Sequence, residues 1–271
     1  SFIGKLDLTV SGKRITRRTY HLIEMKSEKV KPEPDVLAAV TRVEKPYKKR
    51  IDTVLGYATK PLYRYFVIEN PIDTLVTDAL AWKFPKIDVV LSNGFRFCPP
   101  NATPNADGLY PITQGYLFDM LPVDSNVRTG KVTGAQLRQW LEKELNNVFA
   151  AEASKRFGGW MVKFKGMQVR FNAFGDEGQR LQSVKVRGKA LKDEQVYSVL
   201  ACEREGDPPD MLCRLKDVAS PKDHSVSLHE AVTEFLAANS PIDPTPRKDA
   251  IALDAPATLL TQVTGVDYEF K

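Results

Sequence analysis

Apolar residues along this chain change spacing repeatedly, from every second position to every third or fourth and back, without a regular alternation of strand and helix. That pattern favours an α+β domain, with mixed sheets packed against helices, over a doubly wound parallel sheet. Thr133 predicts a helix start, followed by Leu137, Trp140, Leu141, Leu145 and Val148 on one face. Asn70-Pro71 predicts a second start, a capping side chain before a proline at the first helical position, with Leu75, Ala79 and Leu80 turned inward. A third helix is expected near 227–238. Strands are expected over 63–68, 87–91, 160–164, 167–171, 181–187 and 196–202, with an edge strand at the tail, 266–270.

The first residues predict a hairpin. Phe2, Ile3, Leu6, Leu8 and Val10 make one strand, Ser11-Gly12-Lys13 the turn, and residues 15–25 the return. The opening Ser1-Phe2-Ile3-Gly4 reads as the middle of a strand, so the chain is expected to be a piece of a longer protein. Residues 26–34 are polar and proline-bearing, a linker pattern. From Val36 to Leu55 apolar residues form one helical stripe, broken by Pro46. Residues 97–116 are rich in Pro, Asn and Gly and are expected to be irregular.

Composition narrows the classes of function. The chain is 42% hydrophobic and 27% charged, with 39 basic against 34 acidic residues, ordinary for a globular domain. Its basic stretches, Lys13-Arg14 with Arg17-Arg18 and Lys48-Lys49-Arg50, lack interleaved aromatics and read as solvated faces, so no nucleic-acid partner is expected. No run reaches the ~18 apolar residues that span a bilayer, so no membrane partner is expected. Cys98, Cys202 and Cys213 leave at least one thiol unpaired; Cys202 and Cys213 either bridge the loop between them or are buried free thiols. The histidines, His21, His224 and His229, have no metal-site spacing, and the last two read as surface or capping residues. Nucleophile elbow, P-loop and dinucleotide fingerprint are all missing, so no catalytic residue is assigned.

Ser92-Asn93-Gly94-Phe95-Arg96-Phe97 is the most pointed segment. Glycine beside arginine after a buried strand lets backbone approach a ligand while a guanidinium grips an anion through paired hydrogen bonds. The same residues would also suit a tight turn with a structural ion pair. Glu205-Gly206-Asp207-Pro208-Pro209-Asp210 is a stiff acidic loop whose Asp207 and Asp210 could accept from hydroxyls or cap the turn. Asp124, Ser125 and Asn126 could line a pocket.

Five pieces in order resemble the C-terminal domain of the 5'-nucleotidase family. They are Leu75-Val76-Thr77-Asp78-Ala79-Leu80, Gly94-Phe95-Arg96, Ile112-Thr113-Gln114-Gly115, Pro122-Val123-Asp124-Ser125, and Val132-Thr133-Gly134-Ala135-Gln136-Leu137 with Leu141-Glu142. The resemblance implies a substrate-binding domain at 31–271, preceded at 1–30 by the last hairpin of a metallophosphatase domain and a linker. It further implies two divalent metal ions in that other domain, whose D-x-H, G-D-x-x-D, G-N-H-(D/E) and G-H-x-H motifs do not occur here. The implied partners are a small anionic substrate and the chain's own N-terminal metallophosphatase domain. The implied location is periplasmic or extracellular.

On this resemblance the substrate-binding residues are Asn93, Phe95, Arg96 and Asp207. Two departures stand out. The family's two ring-stacking phenylalanines fall at Val123 and within Gly206-Asp207-Pro208-Pro209-Asp210-Met211, where this chain has no aromatic residue. Leu62-Tyr63-Arg64, the Arg96 segment and Phe157-Gly158-Gly159-Trp160-Met161 are worded more like a sister branch, the thiosulfohydrolases of bacterial sulfur oxidation. A phosphoester hydrolase, a sulfur-ester hydrolase and a non-catalytic binding module thus remain open, in that order.

Overall fold

A computed structural model describes residues 2–26, 30–64, 67–92 and 100–255, divided into two units, Ser1–Lys49 and Arg50–Lys271. In the first, β1 (Phe2–Ser11) and β2 (Arg14–Glu24) form the predicted antiparallel hairpin, with Leu6 opposite Tyr20 and Val10 opposite Ile15. Gly12 turns the chain with φ +62, a conformation costly to other residues. α1 (Pro34–Glu44) starts where the Glu33 carboxylate accepts from the Val36 N–H at 2.9 Å. The helix stops before Pro46, as predicted, and α2 (Lys48–Ile51) resumes across the unit boundary.

The stripe from Val36 to Leu55 is not one helix. Val54 and Leu55 begin a strand, β3 (Val54–Ala58), and Val36, Leu37, Val40 and Val43 remain exposed. Spacing alone did not separate the end of a helical stripe from the alternation of a short strand.

In the second unit the Asn70 side chain accepts from the Asp73 N–H at 2.8 Å, so α3 (Pro71–Lys83) begins as predicted. After it come β4 (Val89–Ser92), β5 (Tyr110–Thr113), α4 (Gln114–Met120) and β6 (Asn126–Thr133). Residues 97–116 are thus less irregular than expected, since β5 and the start of α4 occupy their end, and Pro111 is accommodated in the two-stranded pair β3–β5. α5 (Gly134–Phe149) is capped reciprocally: the Thr133 hydroxyl accepts from the Gln136 N–H and the Gln136 side chain from the Thr133 N–H. β7 (Lys163–Lys165), β8 (Met167–Phe171), β9 (Leu181–Val186), β10 (Lys189–Ala190), β11 (Val196–Cys202), β12 (Ala219–Ser227), α6 (Leu228–Asn239) and β13 (Ala250–Ala252) complete it.

The expected strand at 63–68 does not form at 63–64 or 67–68, and 65–66 lie outside the described residues. There the Val67 carbonyl accepts from the Met161 N–H and the Lys163 ammonium instead of a ladder partner. The predicted tail strand at 266–270 also lies outside them.

A five-stranded sheet runs β12-β6-β11-β4-β7, with β11 and β4 parallel and the other pairs antiparallel. A four-stranded sheet runs β10-β9-β8-β13. The central strands β4 and β11 are covered on both faces, which explains their continuous apolar runs. Val89, Leu91, Val199 and Ala201 pack with Leu137, Trp140 and Leu141 of α5 and with Val169 and Phe171 of β8. Val90 and Leu200, one residue along, point the other way into Leu75, Ala79, Val232 and Leu236 of α3 and α6. The chain passes from the five-stranded to the four-stranded sheet through one residue, Gly166, at φ +94. The α+β reading therefore holds.

Candidate functional site

β4 ends at Ser92, and what holds that end is buried charge. The Asp73 carboxylate, on the first turn of α3, accepts from the Ser92 hydroxyl at 2.8 Å, from Arg64 Nη2 at 3.0 Å and from Asn70 Nδ2 at 2.7 Å. Arg64 Nη1 also donates to the Met120 carbonyl at 2.6 Å. Burial alone would raise the Asp73 carboxyl, but the Arg64 and Lys163 cations hold it below the usual aspartate value.

Lys163, on β7, donates to the Met161 and Val67 carbonyls at 2.9 and 3.1 Å. Burial pushes its ammonium down to about 8, against the opposing pull of Asp73. This has a measurable consequence. The unfolded chain holds the Lys163 proton more tightly than the folded one, so a penalty is fully present below pH 8 and is relieved as pH climbs towards the ordinary lysine value of 10.5. Melting temperatures of the chain and of Lys163→Met, followed over that window, are expected to show this rise only in the unsubstituted chain, with a contribution on the order of 3 kcal/mol. Parallel curves would show that Lys163 carries no such penalty.

Above this network a cleft of about 430 Å³ opens. Ser92 lies on its wall with Leu91, Val76, Leu80, Leu121 and Leu228, an apolar floor from β4, α3, the end of α4 and α6. Val123 and Ser125 line it from the segment before β6, and Glu203, Arg204, Glu205 and Asp207 from the loop after β11. Glu203 is held by Arg128 at 2.7 Å, and burial raises its carboxyl. Phe157 and Trp160 line it from the loop between α5 and β7, and Cys213 and Arg214 complete it.

Of the residues predicted to bind substrate, Asp207 lies in this cleft. Asn93, Phe95 and Arg96 fall outside the described residues, although Ser92, directly before them, is on the cleft wall. Ser125 lines the cleft, whereas Asp124 caps α6, its carboxylate accepting from the His229 N–H at 3.0 Å. Asp210 gives its carbonyl to the Val218 N–H at 3.0 Å. His229 is part-buried and caps a helix: its Nε2 lies 2.6 Å from the carbonyl of Leu121, the C-cap residue of α4, and its ring stands edge-on to Phe118. His224 packs edge-on to Phe84. Cys202 and Cys213 line the same cleft as thiols rather than as a disulfide, and burial pushes Cys202 up to about 11. Cys98 lies outside the described residues.

Glu144 went unrecognised in the sequence. It is 1% exposed and takes Arg214 with both oxygens, Nε donating to Oε1 at 2.8 Å and Nη2 to Oε2. The signal was there: a carboxylate on the stripe of Leu137, Trp140, Leu141 and Leu145 needs a buried partner.

Residues 49–202 match the family model described as the 5'-nucleotidase, C-terminal domain. The chain belongs to that family. Among solved structures it is similar to the Thermus thermophilus sulfate thiohydrolase SoxB in complex with glycerol, with a TM-score of 0.77 and 19% identity over 94% of this chain and 45% of that one. It is likewise similar to a 5'-nucleotidase precursor from Thermus thermophilus, with a TM-score of 0.78 and 17% identity over 94% of this chain and 50% of that one. The NAD nucleotidase NadN of Haemophilus influenzae follows at a TM-score of 0.57 and 14% identity, over 94% of this chain and 54% of that one. No curated protein sequence matches the chain. At these identities the solved structures establish a common fold, and this member of the 5'-nucleotidase C-terminal family spans about half their length.

Proposed function

We propose that this chain is the substrate-recognising part of a two-domain, dimetal-dependent hydrolase that cleaves nucleotide phosphoesters outside the cytoplasm. The observation that carries the reading is the cleft. It gathers Asp207, expected to contact substrate, and Val123, which stands at a family stacking position, with Ser125, beside the strand end that leads into Asn93, Phe95 and Arg96. In this reading Arg96 grips the anionic part of the ligand, Phe95 and Asn93 assist it, and Asp207 accepts from hydroxyls. The apolar floor excludes water from the part of the ligand that does not react.

The two divalent metals implied by the family would supply the attacking water and stabilise the phosphoryl group. Among the described residues no cluster of three or more His, Cys, Asp or Glu is placed to hold a metal ion. In this reading the metals belong to a metallophosphatase domain of which this chain carries only the last hairpin, β1–β2. No helix among the described residues is long and apolar enough to cross a membrane.

A sulfur-ester substrate is the second reading, favoured by Val123 where a stacking ring would stand and by the likeness in fold to the sulfate thiohydrolase. The two separate in an assay of the chain joined to a metal-loaded metallophosphatase domain. Phosphate release from AMP, or UMP and glucose 1-phosphate from UDP-glucose, is expected, reduced at least tenfold by Arg96→Ala. Sulfate release from a thiosulfonate-bearing carrier with no phosphate release would establish the second reading. Phosphate release untouched by Arg96→Ala would remove Arg96 from the site.

A further inference from the structure

Two aromatic side chains line the cleft although neither occupies a family stacking position. Phe157 and Trp160 come from the loop between α5 and β7, and that loop is fastened along its length. The Phe157 N–H donates to the Asn147 carbonyl at 2.8 Å, Arg156 Nε to the Ala150 carbonyl at 2.6 Å, and the Met161 N–H to the Val67 carbonyl at 3.0 Å. Gly158, at φ +86, takes a turn that a residue with a side chain would strain to adopt, and the Trp160 ring lies in ordinary contact distance of that position.

The Phe157 ring is nevertheless 61% exposed. Because Phe157 also lines the cleft, part of that exposed apolar surface is open to a ligand there. The Arg214 guanidinium stands 6.0 Å from its centroid, and buried Glu144 fixes that guanidinium with both oxygens. Cys213 and Arg214 both sit at positive φ, 49° and 67°, unfavourable for residues with side chains. Conformations of that kind persist where the surrounding structure holds them, as Glu144 holds Arg214 here.

We propose that Phe157 and Trp160 form the ring-binding wall of the cleft, replacing the aromatic residue missing at Val123, and that the ligand part they take is a flat heteroaromatic ring attached to an anionic group. The proposal rests on the cleft being the substrate site. The rim supports a ring-bearing ligand over a small bare dianion. Glu203, Glu205 and Asp207 offer acceptors to ring N–H groups and hydroxyls, which a small bare dianion does not supply, and Arg204 and Arg214 line the same cleft for the anionic group.

Calorimetric titration of AMP, ribose 5-phosphate and thiosulfate into the whole chain tests this, with Phe157→Ala, Trp160→Ala and Phe174→Ala as variants. Phe174 is an exposed ring away from the cleft and serves as a control. AMP is expected to bind five- to hundredfold (roughly) more weakly to the Phe157 and Trp160 variants, the range a base–ring stack contributes. Ribose 5-phosphate, which lacks the ring, is expected to bind the two variants and the unsubstituted chain alike. Phe157→Leu keeps the apolar volume without the ring face and guards against misfolding; it should weaken AMP while leaving the melting temperature unchanged. Trp160→Phe should restore most of the affinity.

AMP binding that both alanine variants keep within twofold would overturn the ring wall and leave the proposed function standing. Thiosulfate binding to a chain that AMP ignores would overturn both.

Discussion

Asp73→Ala is expected to cost about 3–5 kcal/mol, enough to unfold much of the second unit at ordinary temperature. Its carboxylate is the counter-charge for two buried cations, Arg64 and Lys163, and the acceptor for Ser92 and Asn70. Truncation leaves both cations in a region with little water and removes the largest part of the opposing charge on Lys163 and the ion pair of Arg64, which is costlier than never having buried them. Asp73→Asn keeps the shape and one acceptor but not the charge, and is expected to recover only part of the loss. Urea unfolding of the three proteins measures this directly. An alanine variant within about 0.5 kcal/mol of the unsubstituted chain, the range of an ordinary surface substitution, would mean that the network is dispensable. Because the depressed Asp73 carboxyl stabilises the fold above the ordinary aspartate value and stops doing so as pH falls through its folded value, the difference between the chain and Asp73→Asn should shrink in acid.

Gly166→Ala is the second large effect. At φ +94 any side chain is strained, and a β-carbon here would lie 2.0 Å from the Asp88 carbonyl oxygen, which is backbone and cannot swing aside. Relief requires β7 or β8 to shift, and these strands belong to different sheets. The expected loss is on the order of 3 kcal/mol, close to the upper end for a single strained backbone site. Gly188→Ala makes a useful comparison. It is also at positive φ but has open space around its missing β-carbon, so it should lose only the conformational part. Equal losses at both positions would contradict the steric account.

The helix starts were legible because they depend on short-range chemistry. Asn70-Pro71 and Thr133 with Gln136 each carry their own capping hydrogen bonds. The buried strands β4 and β11 showed as apolar runs. β12 did not, because an exposed edge strand written Ala219-Ser220-Pro221-Lys222-Asp223-His224-Ser225-Val226-Ser227 has no alternation to detect. β3 was absorbed into a helical stripe that ran straight into it.

The cleft was legible in part, at Asp207 and Ser125 from the polar segments that hold them and at Val123 from motif order. Phe157 and Trp160 sit in a loop with two glycines between them, and no periodicity announces which way loop side chains face. Glu144 and Arg214 lie 70 residues apart, a pairing that only the packed structure brings together.

The hairpin β1–β2 has a consequence for handling this protein. Among the described residues neither strand pairs with a third, so both outer edges offer backbone donors and acceptors to any extended segment that drifts past. Leu6, Tyr20 and Leu22 add a greasy patch to one side. Repulsion among Lys13, Arg14, Arg17 and Arg18 keeps such ribbons apart while the solution is dilute in ions, and added salt removes that protection. Concentrated stocks in high salt are where this chain should begin to clump.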